Sequence, residues 1–169
     1  HMASVVNENT SHLNVTSEEI SEITNIINGL MIMMDIGDSK EFSNFFLDDP
    51  NSTLTIEIAQ KDSRGREEIA KACDGIYNKF CIGDEPCKHW EGNIYLKKIQ
   101  MHDINKTVIL NRSYWKSIKG GEVMSTGLHT DVFQQDDKDG RWYIFHRIIQ
   151  HTWTKNSGFI NSNKKIGRL

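Results

Sequence analysis

The sequence predicts an α+β fold in which a curved antiparallel sheet has its concave side covered by three helices that precede it in the chain. Three observations predict this. Apolar residues between positions 16 and 80 recur at helical spacing, whereas from position 88 onward the chain reads as four alternating segments, 88–99, 106–118, 122–135 and 141–153. The dividers between those segments are short enough to be hairpin connections. The segments are about twice the usual five or six residues of a strand, and long antiparallel strands twist and coil, so the sheet should curl and leave a hollow that the helices close.

Each element has a local reason. Residues 1–15 are polar and aperiodic and are expected to be unstructured, and His1-Met2 reads as a cloning remnant that leaves any natural targeting segment open. Thr16-x-x-Glu19 is a capping box, and Ile20, Ile23, Ile27, Leu30 and Met34 follow it at helical intervals, giving a helix over 17–35. Gly37 can take the left-handed position that ends it. Asp38-x-x-Glu41 then opens a short helix over 39–47 carrying Phe42, Phe45 and Phe46, so Asp35 sits at a helix joint. Asp48-Asp49-Pro50-Asn51 is turn chemistry, and Leu54 to Ile58 alternates as a half-buried strand does. Gly65-Arg66-Glu67-Glu68-Ile69 starts a third helix to about residue 80, with Ile69, Cys73, Ile76 and Phe80 along one side. The segment 154–169 holds four cations and no acid and is expected to be a flexible basic tail, which leaves 16–153 as the one domain.

Composition narrows the function classes. The chain has 169 residues, with 20 basic against 23 acidic side chains for a net charge of −3, and neither nucleic acid nor an anionic membrane is the expected partner. No apolar run reaches spanning length, so a soluble, by default cytoplasmic, protein is expected. Cys73, Cys81 and Cys87 contain no CxxC pair and define neither a disulfide framework nor a four-ligand zinc site. Gly-rich phosphate loops, dinucleotide fingerprints and nucleophile motifs are all missing, and His89, His129, His146 and His151 lack metal-ligand spacing except for a possible His129/Asp131 half-site. No cofactor and no metal are expected.

Four local motifs resemble the SnoaL-like branch of the NTF2-like superfamily, over roughly residues 17–153. They are Met34-Asp35-Ile36-Gly37-Asp38 leading to Phe45-Phe46, Gly65-Arg66-Glu67-Glu68-Ile69, Lys88-His89-Trp90-Glu91-Gly92-Asn93, and Gly127-Leu128-His129-Thr130-Asp131 leading to Gly140-Arg141-Trp142 and Arg147. Lys88 and His129 depart from the Arg and Tyr usual in that family. The resemblance implies an NTF2-like cone enclosing a pocket. It also implies that Asp35 and His89 form an acid/base pair, with His89 and Asn93 facing the cavity, as in similar dehydratases.

Strand parity assigns the rest. His89, Glu91, Asn93 and Tyr95 share one face of their strand, and Trp90, Ile94 and Leu96 the other. On the next strand Tyr114 is a candidate to polarise a substrate carbonyl, or else a packing residue, with Ile109, Asn111, Ser113 and Trp115 opposite it. His129, Asp131 and Arg147 are candidate substrate contacts, although Asp131 and Arg147 could equally be an ion pair that ties two strands together. Met34 and Phe46 are expected among the apolar walls. The expected activity is cofactor-free dehydration, isomerisation or ring closure of a small, mostly apolar carbonyl compound such as a polyketide, terpenoid or steroid-like metabolite, with a carrier or a protein-association module as alternatives. Trp90, Ile94 and Trp115 are expected on the convex face, where they would favour a homodimer through the sheet.

Overall fold

The Thr16 hydroxyl accepts the Glu19 backbone N–H at 3.2 Å, and the Glu19 carboxylate accepts the Thr16 N–H at 2.9 Å. This reciprocal cap opens α1 (Ser17–Ile36), which ends at Gly37 in the left-handed conformation. A computed structural model describes residues 10–160. In it β1 (Thr10–Leu13) precedes α1, and α2 (Ser39–Asn44) is capped by the Asp38 carboxylate. The hairpin β2 (Thr53–Ile56) and β3 (Lys61–Arg64) leads into α3 (Gly65–Ile76), and a single π turn, Tyr77–Cys81, extends that helix. Four long strands follow: β4 (Lys88–Met101), β5 (Lys106–Lys119), β6 (Glu122–Gln135) and β7 (Trp142–Thr154). A short β8 (Gly158–Phe159) closes the described chain.

The strands form one curved, open sheet in the order β1-β4-β5-β6-β7-β2-β3, with β8 on β7. The four long strands pair antiparallel, as expected, and β2 adds to β7 in parallel, which makes the sheet as a whole mixed. Parallel neighbours have no turn between them to betray the pairing, and here β3, α3 and the three long strands β4, β5 and β6 intervene. Two tail expectations change in the described part. Thr10–Leu13 pairs with β4, and residues 154–160 include β8. The remainder of both expected tails, 1–9 and 161–169, lies outside the described residues.

Two bulges redirect the inner face. In β4 the register shifts between Gly92 and Tyr95, with Asn93 at a φ of 54°, so two residues answer one on β5. His89 and Glu91 before the bulge, and Ile94 and Leu96 after it, all end up on the concave side. In β7 the pairing skips Phe145, so Trp142 and Ile144 before it and Arg147, Ile149 and His151 after it face inward. Simple alternation cannot keep both sets on one face.

The core lies between the concave face and the helices. Ile23, Ile27 and Leu30 of α1 and Ile69 and Cys73 of α3 meet Ile109, Phe133 and Ile144 of the sheet, all fully buried. No helix among the described residues is long and apolar enough to cross a membrane.

Candidate active site

The last turn of α1 delivers Asp35 to the first residues of β4. One Asp35 carboxylate oxygen accepts the His89 backbone N–H at 2.9 Å, and the other lies 2.7 Å from His89 Nδ1. An ionised carboxylate only accepts, so the proton between them belongs to Nδ1, and Nε2 is left as the basic nitrogen. The two side chains are 10% and 12% exposed, and Gly37 fixes their approach from the helix side. A Cβ at Gly37 would stand 2.8 Å from the Tyr77 ring, which packs directly over this turn.

His89 opens onto a cavity of about 790 Å³. Met31, Met34, Phe42, Trp115 and Ile149 supply apolar wall, and His129 and His151 join His89 as imidazoles along it. The Trp115 ring stacks on His129, with centroids 5.6 Å apart, and meets His151 edge-on at 4.8 Å. Its indole N–H donates to the Gln150 carbonyl at 3.2 Å. That placement depends on Gly127 opposite, because a Cβ there would fall 1.8 Å from the Gln150 oxygen and 2.5 Å from Trp115 Nε1.

Behind the imidazoles lies a buried ionic network drawn from four strands. Arg147 binds Asp131 through Nε at 2.7 Å and Nη2 at 2.9 Å, and reaches Glu91 at 3.1 and 3.2 Å. Asn111 donates to Asp131 at 2.9 Å, and Ser113 donates to Glu91. Burial would push the Glu91 carboxyl up, but Arg147 and His129 outweigh it and hold it at about 2. Burial, reinforced by Arg147, lowers the pKa of His129 despite the nearby acids, which favours the neutral imidazole. Its Nδ1 is 2.8 Å from Glu91 but too poorly aligned for a hydrogen bond. His151 is lowered by burial and by the other two histidines, and its Nδ1 is buried with no hydrogen-bond partner among the described residues.

The sequence-predicted residues fall into three groups. Asp35, His89, Met34 and His129 come together at or beside the cavity, and Asp131 and Arg147 form the ion pair behind it. Three expected cavity residues lie elsewhere: Tyr114 is 63% exposed on the convex side, Asn93 is exposed at the bulge, and Phe46 is taken up by the core, bridged to Ile144 and away from the cavity lining. Trp115 and Ile94 face the concave side and not the convex one, the first by β5 parity and the second because the bulge turns it. Sequence reasoning missed Glu91, Trp115 and His151 as parts of the site. Glu91 shares strand parity with His89, and His151 shares it with Arg147, while a glycine in mid-strand at position 127 signals a large neighbour lying over the backbone.

Asp35, Cys81 and His89 are the described residues that could hold a metal ion, with ligand atoms all within 4.8 Å of one another. The fit is poor as the side chains stand. Two donors on one tetrahedral zinc are separated by about 3.3 Å, from zinc bonds near 2.0 Å, whereas Asp35 and His89 close on each other at 2.7 Å. Burial pushes the Cys81 thiol up to about 11, away from the thiolate a metal needs.

The sequence matches the family model of the SnoaL-like domain over residues 15–148. The chain belongs to the SnoaL-like domain family. A search of curated proteins returned no match. Among solved structures, this SnoaL-like chain resembles a Nostoc punctiforme protein of unknown function with a cystatin-like fold at a TM-score of 0.67 and 16% identity, covering 82% of this chain and 95% of that one. An NTF2-like protein with a cystatin-like fold from Novosphingobium aromaticivorans matches at a TM-score of 0.64 and 16% identity, over 78% and 80% of the two chains. A second protein from that organism, provisionally assigned as a scytalone dehydratase, matches at a TM-score of 0.64 and 18% identity over 90% and 95%. At these identities the likeness establishes the fold, which is the NTF2-like cone.

Proposed function

We propose that the cavity is the active site of a cofactor-free proton-transfer enzyme that dehydrates, isomerises or cyclises a small, mostly apolar carbonyl compound. One observation carries this reading: Asp35 holds His89 through both the backbone N–H and Nδ1, leaving Nε2 as a fixed base beside an apolar cavity. A carrier has no use for such a constellation, because partly buried titratable groups cost stability that simple apolar binding does not require.

His89 Nε2 removes the proton α to the carbonyl, and Asp35 keeps the correct tautomer and stabilises the imidazolium that forms. The developing enolate oxygen needs a donor. His151 is the best placed, since it lines the cavity and a lowered pKa favours the neutral imidazole, which can donate without giving up its proton. His129 is a second imidazole able to return the proton to another carbon or to a leaving hydroxyl. The apolar walls exclude water and strengthen both interactions. Likeness in fold to the provisional scytalone dehydratase supports this reaction class.

Solvent deuterium exchange into a panel of polyketide, terpenoid and steroid-like ketones tests the proposal, because exchange reports α-proton removal even where turnover stalls. Wild-type exchange is expected, with a loss of roughly a hundredfold or more in His89→Ala. A folded His89→Ala that exchanges at the wild-type rate would remove His89 as the base. We also propose a homodimer through the convex face, where Trp90, Tyr95 and Tyr114 are 52%, 62% and 63% exposed. A light-scattering mass near 19.5 kDa at micromolar concentration would overturn the dimer.

A further inference from the structure

The cavity changes character between its floor and its mouth. Apolar side chains such as Met31, Phe42 and Trp115 form the interior, yet five exposed lysines, Lys61, Lys71, Lys79, Lys119 and Lys155, also border it, and no Asp or Glu does. These lysines come from β3, α3, the π turn, the end of β5 and the segment after β7, so they do not reflect one local charge run. The imbalance is local to the mouth, since the whole chain carries a net charge of −3.

Two of the five are answered from outside the cavity. Lys71 pairs with Glu67 at 2.7 Å along the exposed side of α3, and Lys155 pairs with Glu122. Among the described residues no salt bridge engages Lys61, Lys79 or Lys119. Lys79 rests over the Phe80 ring at 5.0 Å; at the Lys119 turn, Glu122 lies opposite Lys119 in the strand register but its carboxylate pairs with Lys155, and Glu85 lies against Gly120. Three exposed ammonium groups with no salt-bridge partner among the described residues therefore border an opening whose lining includes no carboxylate.

We infer that the ligand of this cavity is an apolar molecule with an anionic end, a carboxylate or a phosphate, whose body fills the interior while its charge stays at the lysine mouth. A carboxylate carried to the interior would lose its hydration, and the cation in that wall, Arg147, is already engaged by Glu91 and Asp131, whereas at the mouth it remains solvated and gains three nearby cations. The same arrangement orients the ligand, with its charge at the lysines and its apolar body toward His89. This deepens the proposed reading of the cavity as a substrate site and rests on it.

Isothermal titration of the intact chain with three naphthyl probes, 2-naphthylacetate, 2-naphthylmethyl phosphate and neutral 2-naphthylacetamide, tests the inference without requiring turnover. At low salt at least one anion is expected to bind about tenfold or more tightly than the amide, and about 0.5 M salt, roughly three times physiological strength, should erase most of that preference. The triple variant Lys61→Gln, Lys79→Gln, Lys119→Gln should lose the preference while its amide affinity stays unchanged, which also shows that the cavity is intact. His89→Ala should retain it. The arm that wins separates carboxylate from phosphate. Equal affinities for anions and amide, or a preference that survives the triple variant, would overturn the anionic end and leave the substrate-site reading standing. Failure of all three probes to bind would overturn both.

Discussion

His89 Nδ1 can face Asp35 only because the carboxylate also holds the backbone N–H of His89 itself, so one side chain sets both the position and the tautomer of the base. Asp35→Asn keeps the shape but offers an amide that can satisfy either tautomer. A loss of roughly ten- to a hundredfold in exchange rate is expected, together with a shifted pH profile and near-normal thermal stability. An unchanged pH profile would reduce Asp35 to a helix-end residue. Arg147 differs in kind. It neutralises Glu91 and Asp131 inside the sheet, so Arg147→Met should cost about 3–5 kcal/mol in denaturant unfolding by leaving two buried carboxylates without a cation. A loss below 1 kcal/mol would mean that water reaches the network. The Asp35/His89 and Asp131/Arg147 pairs were legible in the sequence, the first from motifs and the second from strand register. Glu91 was legible only as a neighbour of His89, because its role depends on Arg147 arriving from a strand fifty-six residues away.

At the scale of elements, long strands preserve parity only until a bulge. Asn93 and Phe145 each add one residue to a strand, and each flips the inward set beyond it. This is why Ile94 and Leu96 pack inward although simple alternation separates them from His89. Tyr114 failed for another reason. β5 does alternate, but alternation does not say which face is concave, and Gly127 decides it by making room for Trp115. Gly127→Ala is therefore expected to destabilise the protein by about 1–3 kcal/mol and to expose the indole, seen as a red shift in tryptophan emission. An unperturbed spectrum with an unchanged melting temperature would show that the ring does not lie on the strand as described.

For the whole molecule, the buried titratable groups predict acid sensitivity. The pKa values of His129, His146 and His151 are lowered in the fold, with burial as the first cause, so the unfolded chain binds more protons once pH falls below its ordinary histidine value near 6.5. Glu91, held at about 2 against 4.5 unfolded, contributes stability that is complete above about 4.5 and lost toward 2. Both effects have the same sign, and the melting temperature should fall steadily from pH 7 to pH 4. A melting temperature that stays flat between pH 7 and pH 5 would show that the imidazoles protonate freely in the fold. The sequence by itself determined the helices, their caps, the four long strands and the helix-joint Asp35, because caps, turns and apolar periodicity act between residues a few positions apart. Only the tertiary structure decided that β2 lies parallel to β7, that Trp115 rather than Tyr114 enters the cavity, that Glu91 joins Arg147, and that five lysines from separate elements ring one opening. Each of these depends on curvature and on contacts between residues far apart in the chain, and no local spacing records them.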